Sequence, residues 1–246
     1  MRKQRTYLDW ASAAPVSRRA HQAYLRAMRA YGNPSSPHAE GREANSILED
    51  ARTRIARMAE ARTQDVIFTS GATESNNLAL RGVPARHVLY LPTAHASIVE
   101  TVRMRSEQGT DVEALGIRDG GVDLIALATQ IRPDTDLVSM DAVCGETGTW
   151  FNTRDVRRVL DAARPTGPRI ILHVDASQLP RSGFFELSRL GADLLTLDAQ
   201  KVGGVRGIGA LIVRHGTPLT AISSGGGQER GMRPAIAQGH AKALRI

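Results

Sequence analysis

The sequence contains a single cysteine, few aromatic residues and no long apolar run. One cysteine in 246 residues excludes an internal disulfide and a zinc site built from several thiolates, and it suits a reducing cytosol better than secretion. No apolar stretch is long enough to span a membrane. The charged start of the chain lacks the apolar segment of a secretory signal. We therefore expect a soluble, cytoplasmic protein that does not contact a membrane.

The charge of the chain is positive, since 32 Lys and Arg residues outnumber 25 Asp and Glu residues. A nucleic-acid partner is one explanation of this excess, and a solvated basic surface is another. The arginines are spread along predicted helices without a long basic run, and only 4% of the residues are aromatic and available for base stacking. Nucleic-acid binding is therefore the minor hypothesis, and we expect no such partner.

Helical and strand patterns alternate along the chain, with no repeat or linker between them. Apolar residues at helical spacing predict helices, which cover residues 17–30, 40–60, 74–82, 96–108, 122–131 and 153–163. Short apolar runs bounded by turn residues predict buried strands, which cover residues 65–71, 87–93, 136–143, 169–177, 192–199 and 209–214. This alternation is typical of a layered α/β domain with a mostly parallel sheet.

Residues that follow the strands matter most, because such sheets bind ligands at the carboxyl ends of their strands. Gly71, Ala72 and Thr73 follow the first predicted strand and open a helix. Small residues at this position leave backbone N–H groups free for a phosphate, and Thr73 adds a hydroxyl. An ordinary helix cap by Ser70 or Thr73 explains the same residues. The sequence leaves both interpretations open.

Three chemically distinctive side chains follow later strands. His95 is either a structural hydrogen-bonding residue or a catalytic group. Asp175 lies in an apolar strand, where a carboxylate needs a cation such as a protonated ring nitrogen, a neighbouring arginine, or a capping role. Lys201 precedes a glycine-rich stretch and is either a surface residue or an amine for Schiff-base chemistry. Together with a phosphate cradle, these groups are the set that pyridoxal phosphate requires.

A series of longer blocks runs through nearly the whole chain. The most extended are GNPSS (32–36), TSGATESNN (69–77), GETG (145–148), HVDA (173–176), GIGAL (207–211) and GGGQERG (225–231). In their order and spacing these blocks resemble the cysteine desulfurases of the class V aminotransferase group, which are fold type I pyridoxal-phosphate enzymes. The resemblance implies a three-layer α/β/α fold with a mostly parallel sheet, like the large domain of those enzymes, formed by residues 1–246 as one domain.

The resemblance also implies roles for individual residues. Lys201 would form the Schiff base with pyridoxal 5'-phosphate and later move protons, and Asp175 would keep the pyridine nitrogen protonated. His95 would stack on the ring and serve as an acid or base.

The resemblance assigns the remaining cofactor contacts to four other positions. Gln178 would bond the phenolic oxygen of the ring, and Ala72 and Thr73 would bind the phosphate. Gln200 stands beside Lys201 in the cofactor site, where the family has a histidine.

In the family, the sulfur of a substrate cysteine passes to an enzyme thiolate as a persulfide, and alanine is released. Family members are homodimers that serve a sulfur-acceptor protein and iron–sulfur cluster assembly. The family's nucleophilic cysteine lies in a smaller C-terminal part beyond the GGGQERG block, which these 246 residues stop short of, so we expect a C-terminally truncated member. Cys144 occupies the segment where the family has Asn-Asn-Glu, and we expect a buried structural thiol there.

Four pocket positions depart from the family pattern, namely Gly145, Asp198, Gln200 and Ile236. Asp198 replaces a phosphate-binding serine, and a carboxylate about 4 Å from a phosphate costs on the order of 4 kcal/mol at an effective dielectric constant near 20. A raised pKa, a side chain that turns away, or a nearby Arg206 would relieve this repulsion.

These departures leave two hypotheses of different kinds. The chain is either a desulfurase-type pyridoxal-phosphate domain that acts on an amino acid, or a degenerate, non-catalytic scaffold of the same fold that serves dimerisation. A desulfurase assay with cysteine separates them, because production of sulfide or alanine would reject the scaffold hypothesis.

Overall fold

The computed structural model describes residues 5–179 and 186–232. The helices are α1 (Arg18–Ala27), α2 (Ala39–Met58), α3 (Ala72–Gly82), α4 (Ala96–Glu107), α5 (Leu124–Gln130), α6 (Thr153–Ala163) and α7 (Leu187–Leu190). The strands are β1 (Val66–Thr69), β2 (His87–Tyr90), β3 (Asp111–Ala114), β4 (Ile117–Arg118), β5 (Gly121–Val122), β6 (Thr135–Asp141), β7 (Ile171–Asp175), β8 (Leu194–Asp198) and β9 (Gly209–Val213). Short 3-10 turns span Thr63–Asp65, Ala199–Val202 and Gln228–Gly231.

Seven strands form one sheet in the order β1-β9-β8-β7-β6-β2-β3. Strand β9 runs antiparallel to both of its neighbours, and the pairs from β8 to β3 are parallel. In the register, Asp141 lies opposite Asp175, and Asp175 lies opposite Thr196 near the end of β8. The carboxyl ends of β6, β7 and β8 therefore meet at one edge of the sheet.

Helices cover both faces of this sheet and make three layers. One buried cluster packs Ile55 of α2 and Leu160 of α6 against strand residues such as Phe68. The other cluster packs Leu78 of α3 and Ile98 of α4 against the opposite face. Burial on both faces explains the continuous apolar runs of the central strands. The predicted α/β/α fold with a mostly parallel sheet is confirmed.

The predicted helices and strands are present with shifted ends. The helix expected over 122–131 begins at Leu124, because the Asp123 side chain accepts hydrogen bonds from the amides of Ile125 and Ala126 and caps it. The sequence did not predict β3, the β4–β5 hairpin or α7. Strand β3 is at the sheet edge and largely exposed, so its residues lack an apolar run. Among the described residues, no helix combines the length and apolar character that crossing a bilayer requires.

Candidate active site

A pocket of about 470 Å³ opens at the carboxyl edge of the sheet. The seven residues predicted for the cofactor site all line it, namely Ala72, Thr73, His95, Asp175, Gln178, Gln200 and Lys201. Asp141, Val143, Gly145, Ser177 and Asp198 complete the lining. The chain thus brings together residues up to 129 positions apart, and their roles in binding remain predictions.

Asp175 ends β7 and is 7% exposed. Its carboxylate accepts hydrogen bonds from Asn76 Nδ2 at 2.7 Å and from the Ser177 amide at 2.9 Å. Within residues 5–179 and 186–232, no arginine or lysine forms an ion pair with Asp175, so the expected alternative of a neighbouring arginine is not observed. The two hydrogen bonds hold the Asp175 carboxylate in the lining of the pocket.

Asn76 and Ser97 connect Asp175 to His95 through hydrogen bonds. Asn76 Nδ2 also donates to Ser97 Oγ at 2.9 Å, and Ser97 Oγ lies 2.8 Å from His95 Nδ1. The Ser97 amide donates to the same nitrogen at 3.1 Å, which makes His95 the cap of α4. Because Nδ1 accepts the hydrogen bond from the Ser97 amide, the neutral ring carries its own hydrogen on Nε2. Sequence reasoning missed Asn76 and Ser97, since polar residues near helix starts are common.

Lys201 lies in the 3-10 turn that follows β8. Its Nζ donates to the backbone oxygens of Ala11 and Ser12, each at 2.9 Å, and Gln178 Nε2 donates to the Ala11 oxygen at 2.9 Å. The N-terminal segment is thereby tied to the pocket. Neither the sequence patterns nor the matching blocks predicted these contacts.

Asp198 ends β8 and is 7% exposed. One carboxylate oxygen accepts from the Ala72 amide at 3.1 Å, and the other accepts from the Gln200 amide at 2.9 Å. Burial raises the pKa of Asp198, while these two amides and the charge of Lys201 act against that rise. Of the three forms of relief that the sequence leaves open, the raised pKa is found, and the cation that acts on Asp198 is Lys201 rather than Arg206.

The start of α3 differs from the capping interpretation of the sequence. The N-cap residue is Gly71, and neither Ser70 nor Thr73 caps the helix through its side chain. Asp198 fills that role from 126 residues away by accepting from the first amide of the helix.

Asp141 is a pocket residue that the sequence interpretation missed. It ends β6, is 5% exposed, and accepts from the His95 amide at 3.2 Å. Burial and then the charge of Asp175 raise the pKa of Asp141 to about 8, so the carboxyl group is largely protonated at neutral pH. Its Oδ1 has no hydrogen-bond partner among the described residues. The sequence signal that could have revealed Asp141 is its position at the end of an apolar run, which it shares with Asp175.

Cys144 is 4% exposed and packs in the core cluster that contains Phe68, whereas its neighbours Val143 and Gly145 line the pocket. This placement agrees with the expectation of a buried structural thiol. A Cβ atom at Gly145 would lie 3.2 Å from Gln178 Nε2, so the missing side chain lets Gln178 lie close. Ile236 lies outside the described residues.

The donor set of the pocket fits pyridoxal 5'-phosphate. Asp175 is a buried carboxylate without a cationic partner in the described chain, which suits a protonated pyridine nitrogen. Lys201 supplies the amine from the end of the neighbouring strand, and Ala72 and Thr73 begin an 11-residue helix whose N-terminus attracts anions. His95 completes the set at the start of α4.

Residues 6–237 match the family described as Aminotransferase class-V, and the chain belongs to that family. Cysteine desulfurase IscS 1 of Archaeoglobus fulgidus is 38% identical over 254 residues, which cover 98% of this chain and 65% of the relative. The mitochondrial cysteine desulfurase of Saccharomyces cerevisiae is 36% identical, with coverage of 98% and 50%. The chain thus spans about half to two thirds of the length of these curated relatives.

Solved structures of similar proteins share the fold of this chain. A NifS-like protein superposes with a TM-score of 0.93 at 32% identity and covers 98% of this chain and 68% of its own. A structure described as SspA in complex with cysteine has a TM-score of 0.90 at 29% identity, with coverage of 98% and 71%. Class V aminotransferases and cysteine desulfurases are pyridoxal-phosphate enzymes, so the resemblance, its fold and its cofactor are confirmed.

Proposed function

We propose that this chain is the cofactor-binding part of a pyridoxal-phosphate-dependent cysteine desulfurase, formed as one domain by residues 1–246. The observation that carries the proposal is the position of Asp175 and Lys201 in one pocket, at the ends of neighbouring strands, beside an anion-attracting helix start. The similarity to cysteine desulfurases over 98% of the chain supports cysteine as the substrate.

The bound cofactor would supply an electron sink that weakens bonds at the α-carbon of an amino acid. Asp175 would hold a proton on the pyridine nitrogen through an ion pair, which keeps this electron sink effective. Asn76 and Ser177 orient its carboxylate by donating the 2.7 Å and 2.9 Å hydrogen bonds. The low exposure of Asp175 strengthens the pairing, because water screens a buried charge poorly.

Lys201 would bind the cofactor and move protons through Nζ. In the structure this atom donates to two backbone oxygens. Lys201 must therefore release Ala11 and Ser12 and lose a proton before Nζ acts as a nucleophile. His95 would pack on the ring, with Nδ1 fixed by Ser97 and the Nε2 hydrogen left for the pocket.

Sulfur acceptance would require a thiol that does not come from the pocket lining. Cys144 is the single cysteine of the sequence and lies in the core. We therefore assign the accepting thiol to a separate acceptor protein. We also propose a homodimer in the cytoplasm, in keeping with the low cysteine content and with the family resemblance.

Borohydride reduction of the protein with pyridoxal phosphate, followed by peptide mass mapping, tests the cofactor assignment. We expect one pyridoxyl adduct, on Lys201. The sequence has only two other lysines, Lys3 and Lys242, so Lys3→Ala and Lys242→Ala are matched controls that should keep the adduct, while Lys201→Ala should lose it. An unlabelled Lys201 would refute the proposal and favour the non-catalytic scaffold.

Production of alanine from cysteine, assayed with an added thiol acceptor, tests the reaction separately. Turnover that depends on Lys201 would support desulfuration. Cofactor binding without any release of alanine would limit the chain to the binding role.

A further inference from the structure

Asp198 occupies one of the hydrogen-bond donors expected to bind the phosphate, the Ala72 amide. Its carboxylate accepts from the Ala72 amide at 3.1 Å and from the Gln200 amide at 2.9 Å, so it bridges the starts of α3 and of the turn that carries Lys201. Gly71 offers no capping side chain, and a Cβ atom there would lie 3.5 Å from the Asp198 carboxylate. The carboxylate is thus an internal anion at the start of α3.

The charges around the pocket reinforce this competition. Three carboxyl groups line it, from Asp141, Asp175 and Asp198, against one ammonium from Lys201. The Asp141 carboxyl group is mainly protonated. Burial raises the pKa of Asp198, but two amides and the charge of Lys201 act against that rise, and the Asp198 carboxylate opposes a phosphate that carries close to two negative charges. Because the Asp198 carboxylate is buried, its repulsion of a phosphate is poorly screened by salt.

We propose that Asp198 caps α3 in the cofactor-free protein and competes with the cofactor phosphate for the Ala72 amide, so that the chain discriminates weakly between pyridoxal phosphate and pyridoxal. The inference rests on the proposed function, since both ligands would react with Lys201. It predicts opposite effects of one side chain: Asp198 stabilises the free protein and weakens the binding of the phosphorylated ligand.

Two variants test the proposal, Asp198→Ser and Asp198→Asn, because both remove the charge and the second keeps the size of the side chain. Equilibrium titrations followed by absorbance give the Kd of pyridoxal phosphate and of pyridoxal. We expect both variants to bind pyridoxal phosphate about tenfold more tightly or better, with pyridoxal affinity unchanged within about twofold. The melting temperature of the ligand-free Asp198→Ser protein should fall, because the cap is lost.

Asp123→Ala is the matched control, since Asp123 caps α5 through two amides and does not line the pocket. It should lower the melting temperature without changing either Kd. Unchanged or weaker binding of pyridoxal phosphate by either Asp198 variant would overturn the proposal, and so would equal tightening of both ligands.

Inorganic phosphate separates a failure of this inference from a failure of the proposed function. It should raise the melting temperature of Asp198→Ser and not that of the wild type, and this effect does not depend on Lys201 chemistry. Phosphate stabilisation without any pyridoxyl adduct would support the competition and reject the cofactor assignment. Equal stabilisation of both proteins by phosphate, or of neither, would reject the competition.

Discussion

Glu229 and Arg52 form a buried ion pair that joins α2 to the GGGQERG block. Two hydrogen bonds of 2.7 Å and 2.8 Å link the guanidinium to the carboxylate, and both side chains are less than a tenth exposed, at 5% and 7%. The carboxylate also accepts from the Phe68 amide at 2.8 Å, and Arg52 lies 4.7 Å above the Phe68 ring. Burial by itself lowers the pKa of Arg52. The hydrogen bonds and charges of Glu229 and Glu49 outweigh this effect and raise the pKa of Arg52. Removing the carboxylate charge leaves a buried cation with reduced compensation.

Glu229→Gln is therefore predicted to destabilise the protein strongly. Loss of one partner of a buried pair costs about 3–5 kcal/mol. Arg52 keeps a 2.9 Å contact with Glu49, which places the expected loss near the lower limit, at about 3 kcal/mol. For a chain of this length, that loss lowers the melting temperature by roughly 6–12 °C.

Urea denaturation followed by circular dichroism measures this loss in the free energy of unfolding. Adding Arg52→Met to Glu229→Gln removes the unpaired cation, so the double variant is expected to lose less stability than Glu229→Gln alone. Glu49→Gln is the control, because its carboxylate is 42% exposed and should contribute less than about 1 kcal/mol. A loss below about 1 kcal/mol for Glu229→Gln, or a double variant no more stable than the single one, would refute the reasoning.

Two further predictions concern buried polar groups near the pocket. Asp141 has its pKa raised from 3.8 to about 8, so the folded protein holds a proton that the unfolded chain releases, and stability falls as pH rises through this window. Asp141→Asn removes this decline: its stability relative to wild type, measured by urea denaturation, should improve from pH 5 to pH 8, and a constant difference would contradict the assignment. Cys144→Ser should lower the melting temperature by placing a hydroxyl in the core, with residual turnover unchanged, and lost turnover would contradict its structural role.

The fold was largely predictable because its central strands are buried on both faces. Strands β1 and β8 are buried along their whole length, so each consists mainly of apolar residues and the sequence indicates its position directly. Strand β3 and the β4–β5 hairpin are partly or fully exposed, and exposed strands have no such pattern. Strand β3 forms by pairing with β2 at the sheet edge, and β4 and β5 pair with each other in a separate two-stranded sheet.

The pocket residues were predictable where they follow a strand or lie in a matching block. Asp175 meets both conditions, and Lys201 follows a strand. Asn76 lies in the TSGATESNN block, but the block does not indicate that its side chain donates to a carboxylate 99 residues away. Asp141 was missed although it ends a strand in the same way as Asp175.

The sequence by itself determined the family, the central strands with most of the helices between them, and seven of the residues that line the pocket. Only the tertiary structure showed that Asp198 caps α3 through the Ala72 amide and that Lys201 binds the backbone at Ala11. The reason is physical. Periodic burial is a local property that neighbouring residues record, whereas a hydrogen bond across more than 120 residues exists only after the sheet order has brought its two partners together.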